Sequence, residues 1–159
     1  MKFFDSPILW SGESQITGKY IEAKIAKQQI MSLMVNKSAF IISEIDSTMY
    51  DQIQGKDIYA KFKEGKIAVV DVKGNGKTLY HLQNEDSLYL EANSAECADI
   101  TIKFKKEEIN SITFKESPIA LYQAIDKMSK TQRFMEGFSW HATIRPRQEE
   151  FILPEELFP

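Results

Sequence analysis

The sequence predicts an all-β domain, and three observations support this fold class. Short segments of alternating apolar and polar residues recur along the chain, and Ser, Asn, Asp or Gly residues bound them. Apolar residues with helical spacing occur only near the C-terminus. The composition, 43% hydrophobic and 27% charged over 159 residues, is typical of one folded domain. The net charge of −3 gives no general attraction to nucleic acid or anionic membranes.

The first 17 residues predict one or two strands. An apolar patch at 7–10 precedes the turn-prone pair Ser11-Gly12, and residues 15–17 follow it. Trp10 is interpreted as an aromatic side chain of the core or of a sheet edge. No apolar run approaches the roughly 18 residues of a membrane helix, and no signal peptide is recognisable. Either the protein is cytosolic, or a targeting segment has been removed.

Residues 55–76 contain the pattern that organises the chain. Two alternating apolar strands flank a polar turn at 63–66, and Gly74-Asn75-Gly76 is predicted to end the unit. The same pattern recurs 37 positions earlier and 42 positions later. Such repetition predicts stacked antiparallel strands, as in a jelly roll, a β-solenoid or a propeller blade, although three copies are too few for a propeller. We expect the two alternating sets to form two facing sheets.

Further short strands are predicted between the copies, at 39–42, 78–82 and 87–90. The pattern changes at Ser117-Pro118, so residues 1–117 are assigned to the β-repeats of a single domain.

Residues 118–136 are predicted to form a helical or irregular insert, because apolar residues from Leu121 to Met128 have helical spacing. Ser129 is expected to cap a short helical turn. Residues 137–159 are predicted to contain a short strand at 138–140 and a proline-containing surface tail.

Motifs for catalysis or metal binding are weak. Gly76-Lys77-Thr78 resembles the end of a phosphate-binding loop, but Asp71 replaces the required glycine and strand residues follow. His81 and His141 are the only histidines, so neither has metal-ligand spacing, and His81 is expected at the surface. Cys97 is the only cysteine and is interpreted as a small half-buried residue. No metal and no cofactor are expected.

Charged residues of the repeats are interpreted chiefly as solvent-facing. Glu107-Glu108 are assigned to a turn, with a glycosidase pair as the alternative. Asp57 and Asp99 occupy equivalent positions and would be the carboxylates of a rival function, a carbohydrate-active β-solenoid enzyme. The lysine-rich strand faces are either the solvent side of the sheet or a basic rim for anionic groups such as lipid phosphates, with these members: Lys61, Lys63, Lys103, Lys105 and Lys106.

The apolar faces of the repeats are the strongest functional indication. If they close tightly they are only a core, which any β-sandwich needs; if they splay along one edge they form a groove for acyl chains. In the second case Phe62 and Phe104 are expected to contact the ligand. The predicted interior wall consists of Ile21, Ala23, Ile25, Leu33, Val35, Ile58, Ala60, Phe62, Val70, Val72, Ile100, Ile102, Phe104, Ile112 and Phe114.

Several strand-turn motifs, in this order, resemble the OstA-like family, the periplasmic lipopolysaccharide-transport proteins of Gram-negative bacteria. The resemblance covers nearly the whole chain, although region 118–136 departs from the simplest members of the family. The stretches that carry it are Leu9–Glu13, Ala39–Ser43, Gln52–Asp57, Tyr59–Lys63, Val72–Gly76, Ile100–Phe104, Gly137–Trp140 and Arg145-Pro146.

The resemblance implies an open, V-shaped β-jelly roll and a periplasmic location. It implies a non-enzymatic carrier that holds the acyl chains of lipid A, the lipid part of lipopolysaccharide, on the way to the outer membrane. It further implies partners of the same family, joined end to end by strand pairing at exposed sheet edges, and a homo-oligomer is one form of this. The alternative is a structural or interaction domain whose closed core carries no ligand and whose edges bind protein partners.

Overall fold

The computed structural model describes residues 1–106 and 108–145 of the chain. Within these residues, ten strands form one open antiparallel sheet, which confirms the all-β prediction. The strands are β1 (Lys2–Phe3), β2 (Ile8–Ser11), β3 (Ser14–Thr17), β4 (Tyr20–Ala26), β5 (Gln29–Glu44), β6 (Tyr50–Lys63), β7 (Lys66–Gln83), β8 (Tyr89–Lys105), β9 (Glu108–Lys115) and β10 (Ile119–Ala124).

Four long strands, β5 to β8, run through the whole sheet, and shorter strands pair with only one end of them. At one end β4 pairs with β5 and β9 pairs with β8. At the other end β3 pairs with β5 and β10 pairs with β8. We call the first end, with the hairpin turns β4–β5, β6–β7 and β8–β9, the hairpin half. The second end, with β2, β3 and β10, is the capped half.

Bulges divide the two halves in the middle of the long strands. The register shifts between Asn36 and Ala39 on β5 and between Lys73 and Gly76 on β7. Lys37 and Gly74, which are equivalent in the repeat, both have positive φ, 60° and 76°. Gly74-Asn75-Gly76 was predicted to end the unit, and this was wrong: it is a bulge within the continuous strand β7.

Carboxylates hold the bulges in place. Asp57 accepts a hydrogen bond from the backbone N–H of Lys37 at 3.2 Å. Asp99, its repeat equivalent, accepts a hydrogen bond from the N–H of Gly74 at 3.4 Å and forms an ion pair with Lys73 at 3.3 Å. The Gly74 hydrogen bond is the main cause that lowers the pKa of Asp99. Both residues proposed for the rival enzyme therefore have a structural role.

The sheet folds back on itself along the line of bulges. Ile30 and Ile41 lie eleven residues apart on β5, which corresponds to ~36 Å along a straight strand. Ile16 lies directly opposite Ile41. Nevertheless Ile16 and Ile30 line one small cavity, so the two halves must face each other.

Small residues occupy the inside of this fold line. Ala39 pairs with Gly55, and Gly76 pairs with Cys97. All four are buried. A Cβ atom on Gly55 would overlap Cγ1 of Val72, because the neighbouring strand bends over the glycine. Gly18, the repeat equivalent of Gly55 at 37 positions, has the same close approach, in this case to Cγ1 of Val35.

We expected the two alternating apolar sets to form two facing sheets, and this was wrong. Instead they interleave on one face of the hairpin half. Along one rung, Ile58 lies between Val35 and Val72, and the rung continues to Ile21 on one side and Ile100 on the other. The facing wall comes instead from the capped half, through residues such as Ile16, Ile41 and Ile53.

The region after residue 118 differs in part from the prediction. Residues 119–124 form strand β10, because they pair along β8 from Glu96 to Glu91, so the helical spacing there was misleading. In the part of the chain that the structure describes, helical structure is limited to two 3₁₀ turns (Ile125–Lys127 and Ala142–Ile144) and helix α1 (Lys130–Arg133), which Ser129 caps as predicted. Residues 138–140 are not a strand. Glu107 lies outside the described residues, and so does the predicted tail from residue 146 onward.

Residues 125–145, the C-terminal segment, run across the outer face of the capped half. Phe134, Phe138 and Trp140 pack against Tyr50 and its neighbours Phe40 and Ile42. The rings of Tyr50 and Phe138 have centroids 5.2 Å apart. Met128 packs on Leu79 and Ala92. The capped half is therefore apolar on both faces, whereas the hairpin half is apolar only inside.

Candidate apolar ligand site

The predicted interior wall is one contiguous cluster, but most of it is closed. Eleven of its side chains are buried core, including Ile58, Val70 and Ile102 with no exposure. The remaining four are partly buried and pack against that core: Ile25, Phe104, Ile112 and Phe114. Phe62 is 7% exposed, whereas Phe104 lies at the accessible rim. Contact between these residues and a lipid stays a prediction.

An apolar cavity of about 100 Å³ lies between the two halves at the N-terminal edge of the sheet. The predicted wall contributes Ala23, Ile25 and Leu33 to it. Sequence reasoning did not assign the other lining residues: Met1, Phe3, Leu9, Trp10, Ser11, Ile16 and Ile30. Ile30 was detectable, since it aligns with Ile67 and Ile109 in the other copies. Ile16 was detectable in the same way, since it aligns with Ile53, whereas residues 1–11 lie outside the repeats and no such signal marked them.

Lightly anchored strands form the mouth of this cavity. Strand β1 pairs with β4 through Lys2 and Phe3, and Met1 adds two backbone hydrogen bonds with Ala23, each at 2.7 Å. Strand β2 pairs with β3 alone and is a free edge in the described residues. Few ladder hydrogen bonds hold either strand, so the mouth is easier to open than the core behind it.

The C-terminal segment supports the outer side of the cavity wall. Trp10, which lines the cavity, packs edge-on against Trp140 with ring centroids 5.0 Å apart. Arg145 lies over the Trp10 ring and donates hydrogen bonds to Glu13 at 2.8 Å and to the Gly12 carbonyl at 2.6 Å. The Glu13 hydrogen bond raises the pKa of Arg145, and Arg145 lowers the pKa of Glu13.

Two buried glutamines attach this segment by both atoms of their amides. Gln15 donates to the Ser139 carbonyl and accepts from the His141 N–H, each at 2.8 Å. Gln52 donates to the carbonyl of Arg133 and accepts from the N–H of Met135, also at 2.8 Å. Sequence reasoning missed this role. A signal existed, since Gln15 and Gln52 are repeat equivalents at 37 positions.

The residues considered for chemistry lie apart from the cavity. His81 was expected at the surface but is 8% exposed, because it lies on the covered face opposite Ala92, and its Nδ1 is 3.0 Å from Asp51. Cys97 is buried and donates from Sγ to the Lys115 carbonyl at 2.6 Å. Within residues 1–106 and 108–145, no group of His, Cys, Asp or Glu has the arrangement of a metal site. No helix in the same residues is long and apolar enough to span a membrane.

Edge strand β10 is the most apolar exposed surface at the other side of the sheet. Ile119, Leu121 and Tyr122 are 77%, 49% and 65% exposed. Tyr122 also lies near Tyr80, whose pKa is raised mainly by burial. In the described residues this strand pairs only with β8, so its second edge is unpaired.

Comparisons with family models, curated proteins and solved structures find no match to this chain.

Proposed function

We propose that this domain is a non-enzymatic lipid carrier that holds the acyl chains of lipopolysaccharide inside its folded sheet. The observation that carries the proposal is the apolar cavity between the two halves, which adjoins the interior wall through Ala23 and Leu33. Lipid A offers several acyl chains, and each buried CH₂ contributes about 0.8 kcal/mol. The resemblance to the OstA-like family supports a periplasmic location and delivery toward the outer membrane.

Uptake of a chain requires the mouth to widen. The cavity of about 100 Å³ is well below the roughly 300 Å³ at which small-molecule pockets begin. Strands β1 and β2 border the mouth and have few ladder partners. We therefore expect an acyl chain to enter beside Phe3 and Leu9, to displace β1, and to extend along the wall toward Phe104.

Photo-crosslinking in lipopolysaccharide-producing cells tests the proposal. A crosslinking amino acid replaces Leu9 at the mouth, and the matched control replaces Tyr59 on the outer face of the hairpin half. We expect a lipopolysaccharide adduct at position 9 and none at position 59. The absence of an adduct at position 9, with adducts in a known carrier processed alongside, would overturn the proposal.

Native mass spectrometry with added lipid A gives a second readout. Leu9→Trp fills the mouth, whereas Leu9→Ala leaves it open, and neither changes a buried core side chain. We expect the wild-type protein and Leu9→Ala to retain lipid A and Leu9→Trp to lose most of it. Equal retention by the two variants would place the lipid elsewhere.

The exposed strand β10 favours a second candidate, an interaction domain that binds partners at its sheet edges. Such a domain would form chains with other copies, or with related transport proteins, by strand addition. Ile119→Lys together with Tyr122→Lys places charges on this edge without touching the core. We expect this variant to abolish concentration-dependent assembly in analytical ultracentrifugation. Unchanged assembly of the variant, or no assembly of the wild-type protein, would contradict this second candidate function.

A further inference from the structure

The tips of the hairpin half are strongly basic. Windows of six residues at 24–29, 61–66 and 103–108 surround the turns of the three hairpins and are equivalent in the repeat. Together they contain eight lysines and three glutamates, a formal excess of five positive charges in a chain of net charge −3. The charge of this end is therefore opposite in sign to that of the whole chain.

Three of these lysines form a straight row across the outer face. Lys24, Lys61 and Lys103 lie on β4, β6 and β8, and the cross-strand register passes from one to the next through Ser32 and Val69. All three are exposed. Neighbouring strands lie ~4.8 Å apart, so the lysines of alternate strands are ~10 Å apart.

Three other strand lysines differ from this row in their surroundings. Lys2, Lys73 and Lys77 each lie within 4.0 Å of a carboxylate, on Glu22, Asp99 and Glu96 respectively. No carboxylate of residues 1–106 or 108–145 lies within 4.0 Å of the lysines of the row. The row therefore presents positive charge that the rest of the described sheet does not neutralise.

The opposite end of the long strands carries negative charge. The connections β5–β6 and β7–β8, with their flanking residues at 44–51 and 84–91, contain six carboxylates and no lysine or arginine. The molecule is thus polarised along its strands, and an anionic surface attracts the hairpin tips while it repels the other end.

We propose that the hairpin tips dock the domain on an anionic membrane surface, with the lysine row against lipid phosphates. Lysine is depleted at protein–protein interfaces, which disfavours a protein partner. The basic windows contain no arginine, the residue best suited to bidentate recognition of fixed phosphates in nucleic acids. Lysines act as point charges that suit mobile headgroups, and the exposed Met31 lies beside them at the β4–β5 tip.

This inference goes beyond the proposed function, because attachment to a surface and uptake of an acyl chain are separate events. It predicts a fixed orientation, with the long strands directed away from the membrane. The acidic loops of the capped half then face the solvent.

Co-sedimentation with phospholipid vesicles tests the inference. The probes are vesicles of phosphatidylcholine alone and of phosphatidylcholine with phosphatidylglycerol, neither of which contains lipid A. We expect the wild-type protein to bind only the anionic vesicles, with binding that weakens as salt increases. Lys24→Gln, Lys61→Gln and Lys103→Gln together should reduce the affinity about 100-fold, at ~1 kcal/mol for each lysine.

The matched control removes the same number of charges elsewhere, with Lys2→Gln, Lys73→Gln and Lys77→Gln. We expect it to keep most of the affinity, because these lysines already have carboxylate neighbours. An equal loss in both triple variants, no preference of the wild-type protein for anionic vesicles, or binding of DNA or an acidic peptide in place of vesicles would overturn the inference. Native mass spectrometry of the row variant with lipid A separates this test from that of the carrier proposal, because a variant that loses vesicle binding should still retain lipid A.

Discussion

The two halves of the sheet share the long strands β5 to β8, but their outer faces differ in what covers them. In the hairpin half the outer face carries exposed side chains such as Lys61 and Tyr59. In the capped half the equivalent face holds buried Gln15, Gln52 and Leu79 beneath the C-terminal segment. The comparison shows that strand alternation specifies which residues share a face, while the partner that covers the face decides whether it is buried.

The largest effect should come from the shared core. Ile58→Ala removes a side chain with no exposure from the central rung of the hairpin half. We expect a loss of about 2–5 kcal/mol in the free energy of unfolding, because a cavity remains where the side chain packed. Urea denaturation followed by circular dichroism measures it. Tyr59→Ala, one residue along on the outer face, is the control, with an expected change of about 0.5 kcal/mol. Similar losses for both would show that the outer face is covered too.

The second effect tests the line that divides the halves. Gly55→Ala places a methyl group against Cγ1 of Val72, so the Val72 side chain or one of the two strands must shift. We expect a destabilisation of about 2 kcal/mol by overpacking. In the Val72→Ala background the clash is removed, and the same substitution should cost clearly less. Equal costs in both backgrounds would mean that the fold line does not require close approach at Gly55.

The third prediction concerns the hydrogen bonds by which the capped half holds the C-terminal segment. Gln52→Leu keeps the approximate volume but leaves the Met135 N–H and the Arg133 carbonyl without their partner. We expect a loss of about 1.5 kcal/mol, since buried polar groups become unsatisfied. Gln54→Leu is the control: Gln54 donates to Glu136 in an exposed hydrogen bond that water can replace. If the two variants were equally stable, the segment would be held by its aromatic side chains alone.

The repeat pattern predicted most of the hairpin half. Period-two alternation identified the residues of each rung, and the shifts of 37 and 42 positions placed Ile21, Ile58 and Ile100 in one register, as the structure shows. Such predictions succeed because side-chain direction in a strand follows directly from sequence position. The same reasoning treated Gly74-Asn75-Gly76 as the end of a unit, since positive φ serves bulges and turns equally.

The capped half and the cavity were less predictable, for a different physical reason. The burial of Gln15 and Gln52 depends on a segment more than 80 residues away in sequence, whose backbone satisfies their amides. The strand at 119–124 likewise depends on pairing with β8 and not on its own pattern. The cavity exists because the sheet folds back, which brings Ile16 and Ile30 together. Tertiary pairing decides all three features, and no local pattern reports it.

The smallest effect concerns the ion pair that ties the C-terminal segment to the β2–β3 hairpin. Arg145 holds the pKa of Glu13 below its ordinary value of 4.5, so folding favours the ionised carboxylate. The stabilisation is therefore present above that value and is lost as the pH falls through the lower pKa of the folded state. Glu13 is largely exposed, so Glu13→Gln should cost only about 0.5 kcal/mol at pH 7 and nothing once the carboxylate is protonated.

Urea denaturation of the wild-type protein and of Glu13→Gln between pH 7 and pH 3 measures this difference. Glu85→Gln, an exposed carboxylate in a loop of the same half, is the matched control and should show no such convergence of the two stabilities. A comparable link at the edge of the hairpin half joins Lys2 and Glu22, which lie 4.0 Å apart. A difference that persists once the Glu13 carboxylate is protonated would mean that Glu13 acts through packing, and that Arg145 closes the cavity wall chiefly by its contact with Trp10.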